Sequence, residues 1–185
     1  DKINNNYFYI LSRRPHSGSI NNMSGTGNFF VNNNIFLKDQ EDSEQYAIKL
    51  ITNERVEIKN NLFSRFKRAI SEVSYYTGVY DTTFIINNSF IRSSILAIVT
   101  GNTQKESIIK NNIIVYGKWG IYVYDSCQAK ADYNLYYKIW ESPYYQLEPG
   151  EHDIIANPMF VNDTIATYNG NYDYHLQKYS PAIDS

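Results

Sequence analysis

The chain of 185 residues contains a single cysteine, Cys127. One thiol excludes both an internal disulfide framework and a zinc site built from cysteine clusters. The three histidines, His16, His152 and His175, lie far apart and lack the spacing of metal ligands. No segment resembles a glycine-rich phosphate-binding loop. The sequence therefore predicts no metal site and no bound cofactor from these motifs.

Neither sign of charge dominates, because 17 Lys and Arg stand against 19 Asp and Glu. This balance excludes a bulk polybasic nucleic-acid binder, and we expect no nucleic-acid partner. Apolar runs are only a few residues long, which is too short for a membrane span. No basic and then apolar signal sequence opens the chain, which indicates a mature form or an excised piece. The length fits one domain, or part of a larger one.

The helix formers Leu and Ala are scarce, whereas Ile is abundant and the chain has 22 Asn and 18 Tyr. Ile and Tyr favour strands, and Asn favours turns. The composition therefore predicts an all-β chain with many turns.

A six-residue pattern recurs along the chain: an aliphatic residue, any residue, two asparagines, any residue, and an aromatic or aliphatic residue. The second asparagine of each copy falls at Asn6, Asn34, Asn61, Asn88, Asn112 and, in a weaker copy, Asn134. The steps are 28, 27, 27, 24 and 22 residues. A second pattern, a small residue followed by Ile and then alternation, begins at Ala47, Ala69, Ala97 and Gly120. A repeat of this length made of short strands and turns predicts one coil of a parallel β-solenoid.

The asparagines have a physical role in such a coil. Asn tolerates the left-handed backbone region that a sharp bend between strands requires. Its amide both donates and accepts, so asparagines on coils about 4.8 Å apart can form a hydrogen-bonded ladder. We expect Asn34, Asn61, Asn88 and Asn112 to be architectural.

The Ile-x-Asn-Asn-x-Phe turns and the Gly-Ile-x-Val strand over 120–123 resemble the pectate-lyase-like superfamily. Segments 157–161, 171–176 and 180–184 are similar to the closing segment common in secreted bacterial β-helix proteins. The resemblance implies a single-stranded right-handed parallel β-helix, secreted or on a bacterial cell surface. It implies no single activity, since the superfamily includes polysaccharide lyases, glycoside hydrolases, epimerases and non-catalytic fibres.

We predict about six coils over residues 1–137, followed within the same domain by a long loop and a closing segment over 138–185. No end cap precedes Ile3, which already lies within a repeat. Because a solenoid needs its end coils covered, we expect the N-terminal end to continue into another segment or to pack on another chain.

Three cations, Lys38, Arg65 and Arg92, each follow an inward Phe by two residues. Stacked coils would place them in one column about 5 Å apart. Such like charges repel unless an anion lies along them, so the column predicts an acidic polysaccharide as the partner. The alternative is a solvated edge that nearby carboxylates neutralise: Asp39, Glu41, Asp42 and Glu44.

Aromatic residues gather in the nearby strand and loops: Tyr75, Tyr76, Tyr80, Trp119, Tyr122 and Tyr124. Aromatic faces stack on sugar rings, and Tyr adds a hydroxyl. Alternation with Ile121 and Val123 predicts that Tyr122 and Tyr124 face outward. We predict Trp119, Tyr122 and Tyr124 as substrate-binding residues, with ordinary surface tyrosines as the alternative.

Cleavage of a uronan by β-elimination needs a cation beside the carboxylate and a base for the ring proton. The resemblance to β-helix lyases implies Lys, Arg or Tyr as the base, and Lys67, Arg68 and Tyr75 are eligible. Hydrolysis needs two carboxylates across a cleft, and the eligible residues are Glu72, Asp81 and Asp125.

Glu72 is the fourth catalytic candidate. The repeats align it with the inward positions of Leu50, Thr100 and Val123, where a carboxylate needs a partner. Arg68, Lys49 or a calcium ion would serve, whereas a register shifted by one residue would expose Glu72. Calcium is the one cofactor that the sequence suggests, although no acidic cluster matches a known lyase family.

These patterns predict an extracellular carbohydrate-active β-helix that binds an acidic polysaccharide, with cleavage by β-elimination as an open extension. Two alternatives remain: a non-catalytic carbohydrate-binding module, and a structural or adhesive stalk such as a surface protein or phage fibre. A cleft with convergent basic and aromatic groups would favour the first two, and a featureless surface would favour the stalk.

Overall fold

The computed structural model describes residues 2–10, 18–22, 27–39, 46–50, 55–73, 81–92, 96–101, 105–124, 127–164 and 170–183. All regular secondary structure in these segments is β-strand. The strands are numbered in chain order and form three long parallel sheets and one antiparallel pair.

Sheet A contains six strands, β1 (Lys2–Asn4), β4 (Phe29–Asn32), β7 (Val56–Lys59), β10 (Thr83–Ile86), β13 (Glu106–Lys110) and β16 (Gln128–Asp132). Sheet B contains seven, β2 (Tyr7–Ile10), β5 (Ile35–Lys38), β8 (Leu62–Ser64), β11 (Ser89–Ile91), β14 (Ile113–Val115), β17 (Leu135–Tyr137) and β19 (Ile154–Ile155). Sheet C contains six, β3 (Gly18–Asn22), β6 (Tyr46–Leu50), β9 (Arg68–Val73), β12 (Leu96–Gly101), β15 (Trp119–Val123) and β18 (Ser142–Tyr145). The antiparallel pair is β20 (Phe160–Asn162) and β21 (Asp173–Leu176).

The chain visits sheets A, B and C in turn, and each strand pairs in parallel with the equivalent strand of the next coil. This arrangement is a parallel β-helix, so the predicted all-β solenoid is confirmed. The cause is the period-2 alternation, which directs one side chain in two toward a shared interior. Phe8, Phe36, Phe63 and Phe90 stack there with ring centroids 4.7, 4.9 and 5.0 Å apart.

The asparagine ladder lies at the corner between sheets A and B. The Nδ2 group of Asn61 donates to Oδ1 of Asn88 at 2.9 Å, and Asn88 donates to Oδ1 of Asn112 at 3.1 Å. Both amides are nearly fully buried. Equivalent bonds run from Asn6 to Asn134, which confirms the predicted ladder.

The first asparagine of each pair has a different role from the second. Its backbone lies in the left-handed region, with φ between 54° and 58°, at Asn5, Asn33, Asn60, Asn87 and Asn111. Tyr133 takes the same conformation in the last copy. The bend therefore depends on the first residue and the ladder on the second.

Residues 138–156, which the sequence predicts as a long loop, contribute β18 to sheet C and β19 to sheet B. Asp153 ends the ladder, because its Oδ1 accepts from Nδ2 of Asn134 at 3.1 Å. Gly150 fits where a Cβ atom would lie 2.5 Å from the backbone oxygen of Ala131. Leu147 packs against the core here, so this segment covers the last coil.

The closing segment lies along the side of the solenoid, over the outer face of sheet B. Phe160 packs with Ile91 and Val115, which point outward from that sheet and are nonetheless buried. Ser180 Oγ donates to the backbone oxygen of Pro158 at 2.6 Å and ties the end of the segment to its start. The motifs that carry the resemblance in this region are therefore structural.

Candidate functional site

Glu72 lies in the inward column of sheet C, as the alignment of the repeats predicts, because it pairs with Leu50 and Thr100. Its side chain is 1% exposed. The carboxylate points into the solenoid, where a glycan on the outer surface cannot reach it. Glu72 is therefore corrected from a candidate catalytic residue to an interior residue.

The partner of the Glu72 carboxylate is Lys105, whose side chain is 0% exposed and whose Nζ lies 3.1 Å from Oε1. Thr83 donates to Oε1 at 2.7 Å, and Ser107 donates to Oε2 at 3.0 Å. A buried charge needs both a counter-ion and hydrogen bonds, and this network supplies both. Calcium is not required to balance Glu72, and the described residues contain no group of three or more His, Cys, Asp or Glu placed to hold a metal.

The predicted column of three accessible cations is not formed, because Lys38 is fully buried. Arg65 is partly buried, and its Nη1 donates to the backbone oxygen of Asp39 at 2.6 Å. Of the three, Arg92 lines a cavity at the corner between sheets B and C. The acidic residues expected to neutralise the column at 41, 42 and 44 lie outside the described residues.

The cavity at this corner has a volume of about 440 Å³. We call it the basic corner, and its lining residues are Arg92, Tyr116, Lys138, Asp163 and Thr164. The guanidinium of Arg92 lies 5.7 Å from the centre of the Tyr116 ring, and Nζ of Lys138 lies 5.3 Å from it. Two cations thus flank one aromatic ring along the corner.

Tyr116 holds the basic corner together. Its hydroxyl donates to Oδ2 of Asp163 at 2.6 Å. Burial and this bond to a carboxylate raise the pKa of Tyr116 far above its usual 10, so the phenol stays neutral. The two cations consequently face an uncharged ring, with one exposed carboxylate at the far side.

The catalytic candidates Lys67 and Arg68 lie at the start of β9, and Arg68 is on the outer face of sheet C. Arg68 Nη1 donates to the hydroxyl of Tyr46 at 2.9 Å, and Nζ of Lys49 lies 5.8 Å from the same ring. Neither Arg68 nor Lys49 is the partner expected for Glu72. Tyr75 lies outside the described residues.

Four aromatic side chains form an aromatic patch on the outer face of sheet C: Trp119, Tyr122, Tyr124 and Tyr145. Tyr122 stacks on Tyr145 with centroids 4.2 Å apart and rings 7° from parallel. The edge of Trp119 meets Tyr145 at 5.3 Å, and Tyr124 meets Tyr122 at 5.1 Å. Tyr124 is 42% exposed. The three sequence-predicted aromatic residues therefore lie together, and they face outward as expected.

Sequence reasoning missed Lys138 and Tyr145. Lys138 extends the Arg92 position by two further repeats, through Tyr116, with the same steps of 24 and 22 residues as the ladder. Tyr145 pairs with Tyr122 across strands β15 and β18. Extending the repeat beyond 137 would have identified both. The hydrolysis alternative gains no support, because Glu72 is internal and Asp125 lies outside the described residues.

The patch and the basic corner are adjacent, since Tyr116 and Trp119 are separated by Gly117 and Lys118 in the turn that leads into β15. The described residues contain no helix long and apolar enough to span a membrane. Comparison with protein-family models, curated proteins and solved structures gives no match, so the assignment of this chain to a family stays a prediction and its function is argued from the site.

Proposed function

We propose that this β-helix binds an acidic polysaccharide along the outer face of sheet C and the basic corner. The observation that carries the proposal is the aromatic patch of Trp119, Tyr122, Tyr124 and Tyr145 next to the two cations of that corner. Consistent with the resemblance to secreted bacterial proteins, the proposed setting is outside the cell or on its surface.

The patch has the chemistry of a sugar-binding surface. Aromatic faces stack on the apolar face of a sugar ring, and tyrosine hydroxyls bind sugar hydroxyls. The contacts among Trp119, Tyr122 and Tyr145 restrain their rings before a ligand arrives, which lowers the entropy cost of binding.

The basic corner adds selectivity for charge. Arg92 and Lys138 contact aromatic rings rather than carboxylates within the described segments, so their charges can attract a uronate or sulfate group. Exposed contacts of this kind contribute little energy each and weaken with salt. We expect them to set preference for acidic chains, whereas the patch supplies most of the affinity.

The proposal extends to cleavage by β-elimination, for which Lys67 and Arg68 are the described candidates for the base. In that reaction a base takes the proton beside the carboxylate, a double bond forms in the ring, and the glycosidic oxygen leaves and is protonated. The unsaturated product absorbs ultraviolet light. Its appearance from polygalacturonate or alginate, and its loss in Lys67→Ala or Arg68→Ala, would support the lyase. Binding without this product would identify a binding module.

Binding is tested by calorimetry with polygalacturonate, alginate and chondroitin sulfate at low and high ionic strength. We expect Tyr122→Ala to weaken binding about tenfold. Arg92→Gly/Lys138→Gly should weaken it several-fold and reduce the salt dependence. Glycine is chosen because both residues have positive φ, 53° and 51°, so the charge is removed without backbone strain.

Tyr179→Ala and Lys178→Ala are the matched controls. Tyr179 is 79% exposed and lies in the closing segment, where Lys178 contacts its ring. Both variants should bind like the wild type. The proposal fails if no acidic polysaccharide binds at low ionic strength, or if the control and site variants bind equally.

A further inference from the structure

A second groove runs along the corner between sheets A and B, beside the asparagine ladder. One wall is formed by the first asparagine of successive pairs, Asn33, Asn60, Asn87 and Asn111, followed by Tyr133. The other wall is the closing segment around β21. Two cavities of about 520 and 390 Å³ share Asn87 and Ser89, so they form one trough, which we call the amide groove. Four coil steps give it a length of about 19 Å.

The amides on the first wall are not used by the fold. Asn33, Asn60, Asn87 and Asn111 have the left-handed backbone, and their side chains make no hydrogen bond within the described residues. The neighbouring ladder amides, in contrast, are buried and fully paired. The left-handed conformation alone would be met by glycine. The groove therefore presents a row of amides, each with a donor and an acceptor, at one per coil.

The second wall is aromatic and nearly uncharged. Tyr172 and Tyr174 stack with centroids 5.4 Å apart, and Nδ1 of His175 lies 2.6 Å from Oδ1 of Asp173. Hydrogen bonds from the backbone N–H and the ring of His175 hold the pKa of Asp173 below its usual 3.8, so this carboxyl is ionised at neutral pH. No Lys or Arg is among the residues that line the two cavities.

We propose that the amide groove binds an extended neutral glycan, at a second site distinct from the acidic-polysaccharide site on sheet C. Neighbouring sugar hydroxyls each donate and accept, which matches an amide that does both. A hexopyranose ring is about as long as the spacing between coils, so successive rings meet successive asparagines. The ionised Asp173 and the absence of a lining cation oppose an acidic chain.

The test is calorimetry of the full chain with three linear neutral hexasaccharides: cellohexaose, mannohexaose and xylohexaose. We expect at least one to bind, and Asn60→Gly/Asn87→Gly to weaken that binding about tenfold. Glycine retains the left-handed backbone, so the substitution removes only the two amides. His175→Ala on the opposite wall should also weaken binding, because its side chain is 91% exposed and is not needed for folding.

Asn5→Gly is the matched control. Asn5 has the same position in its coil and a φ of 58°, but it does not line the groove. It should leave hexasaccharide affinity unchanged. The proposal is overturned if none of the hexasaccharides binds, if the double glycine variant binds as tightly as the wild type, or if a peptide or polyuronate occupies the groove instead.

The two sites can be separated with the same variants. Tyr122→Ala should weaken polyuronate binding and leave hexasaccharide affinity unchanged, and the double glycine variant should do the reverse. Failure of the polyuronate experiment alone would remove the proposed function and leave the amide groove. Failure of the hexasaccharide experiment alone would remove the groove.

Discussion

Two adjacent asparagines in each repeat have separate physical roles. The first bends the chain and exposes its amide, and the second is buried in the ladder. Within one pair, Asn87 exemplifies the first role and Asn88 the second. Asn88 accepts from the backbone N–H and Nδ2 of Asn61, and it donates to the backbone oxygen of Ile58 at 2.9 Å. The same residue type is thus selected for conformation at one position and for hydrogen bonding at the next.

At this scale we predict that Asn88→Ala lowers the free energy of unfolding by about 1–3 kcal/mol, because it leaves buried partners unpaired. Asn87→Gly should change it by less than about 1 kcal/mol, since glycine adopts the left-handed backbone readily. Urea denaturation followed by circular dichroism measures both. Equal losses in the two variants would contradict the division of roles.

Among the elements, the closing segment has the least expected position. Its strands β20 and β21 cover the outer face of sheet B, and they form the second wall of the amide groove. The apolar side chains of Ile91 and Val115 explain this placement, because they point outward and are buried by Phe160. The segment therefore both completes the packing of one sheet and shapes a candidate site.

We predict that Phe160→Ala detaches this segment while the coils remain folded. The loss of a buried aromatic side chain costs about 3–5 kcal/mol, more than a small satellite cluster can absorb. Hydrogen exchange should rise over 157–183 and remain low in the ladder. Val161→Ala is the control, because Val161 is in the same strand and 54% exposed. Uniform loosening of all coils by Phe160→Ala would show instead that the segment and the solenoid unfold together.

At the scale of the whole molecule, the interior combines an apolar stack with one buried ionic network. Glu72 is on β9 in sheet C, whereas Thr83 and Ser107 are on β10 and β13 in sheet A. Lys105 lies in the turn that precedes β13. The network thus joins two sheets and successive coils across the interior.

We predict that Lys105→Met destabilises the protein by about 3–5 kcal/mol, because it leaves a buried carboxylate without its counter-ion. Adding Glu72→Gln should restore part of that loss, since a neutral amide accepts from Thr83 and Ser107 without a charge. Thermal unfolding of both single variants and the double variant gives the coupling. Lys130→Met, which removes an exposed ion pair with Glu106, should cost less than about 1 kcal/mol. Strictly additive effects of Lys105→Met and Glu72→Gln would contradict the network.

The repeats alone determined the parallel solenoid, the ladder at Asn34, Asn61, Asn88 and Asn112, and the outward direction of Tyr122. These features follow from local rules: alternation along a strand, tolerance of the left-handed backbone, and a constant step between coils. The repeat alignment also placed Glu72 inside the solenoid.

Only the tertiary structure decided which of these positions are accessible and what they contact. The sequence does not show that Lys38 is buried or that Lys105, 33 residues beyond Glu72, is its counter-ion. It also does not show that the closing segment folds back beside the ladder and creates a groove. Accessibility and long-range pairing depend on segments that pack from outside the repeat, so a pattern within the repeat carries no information about them.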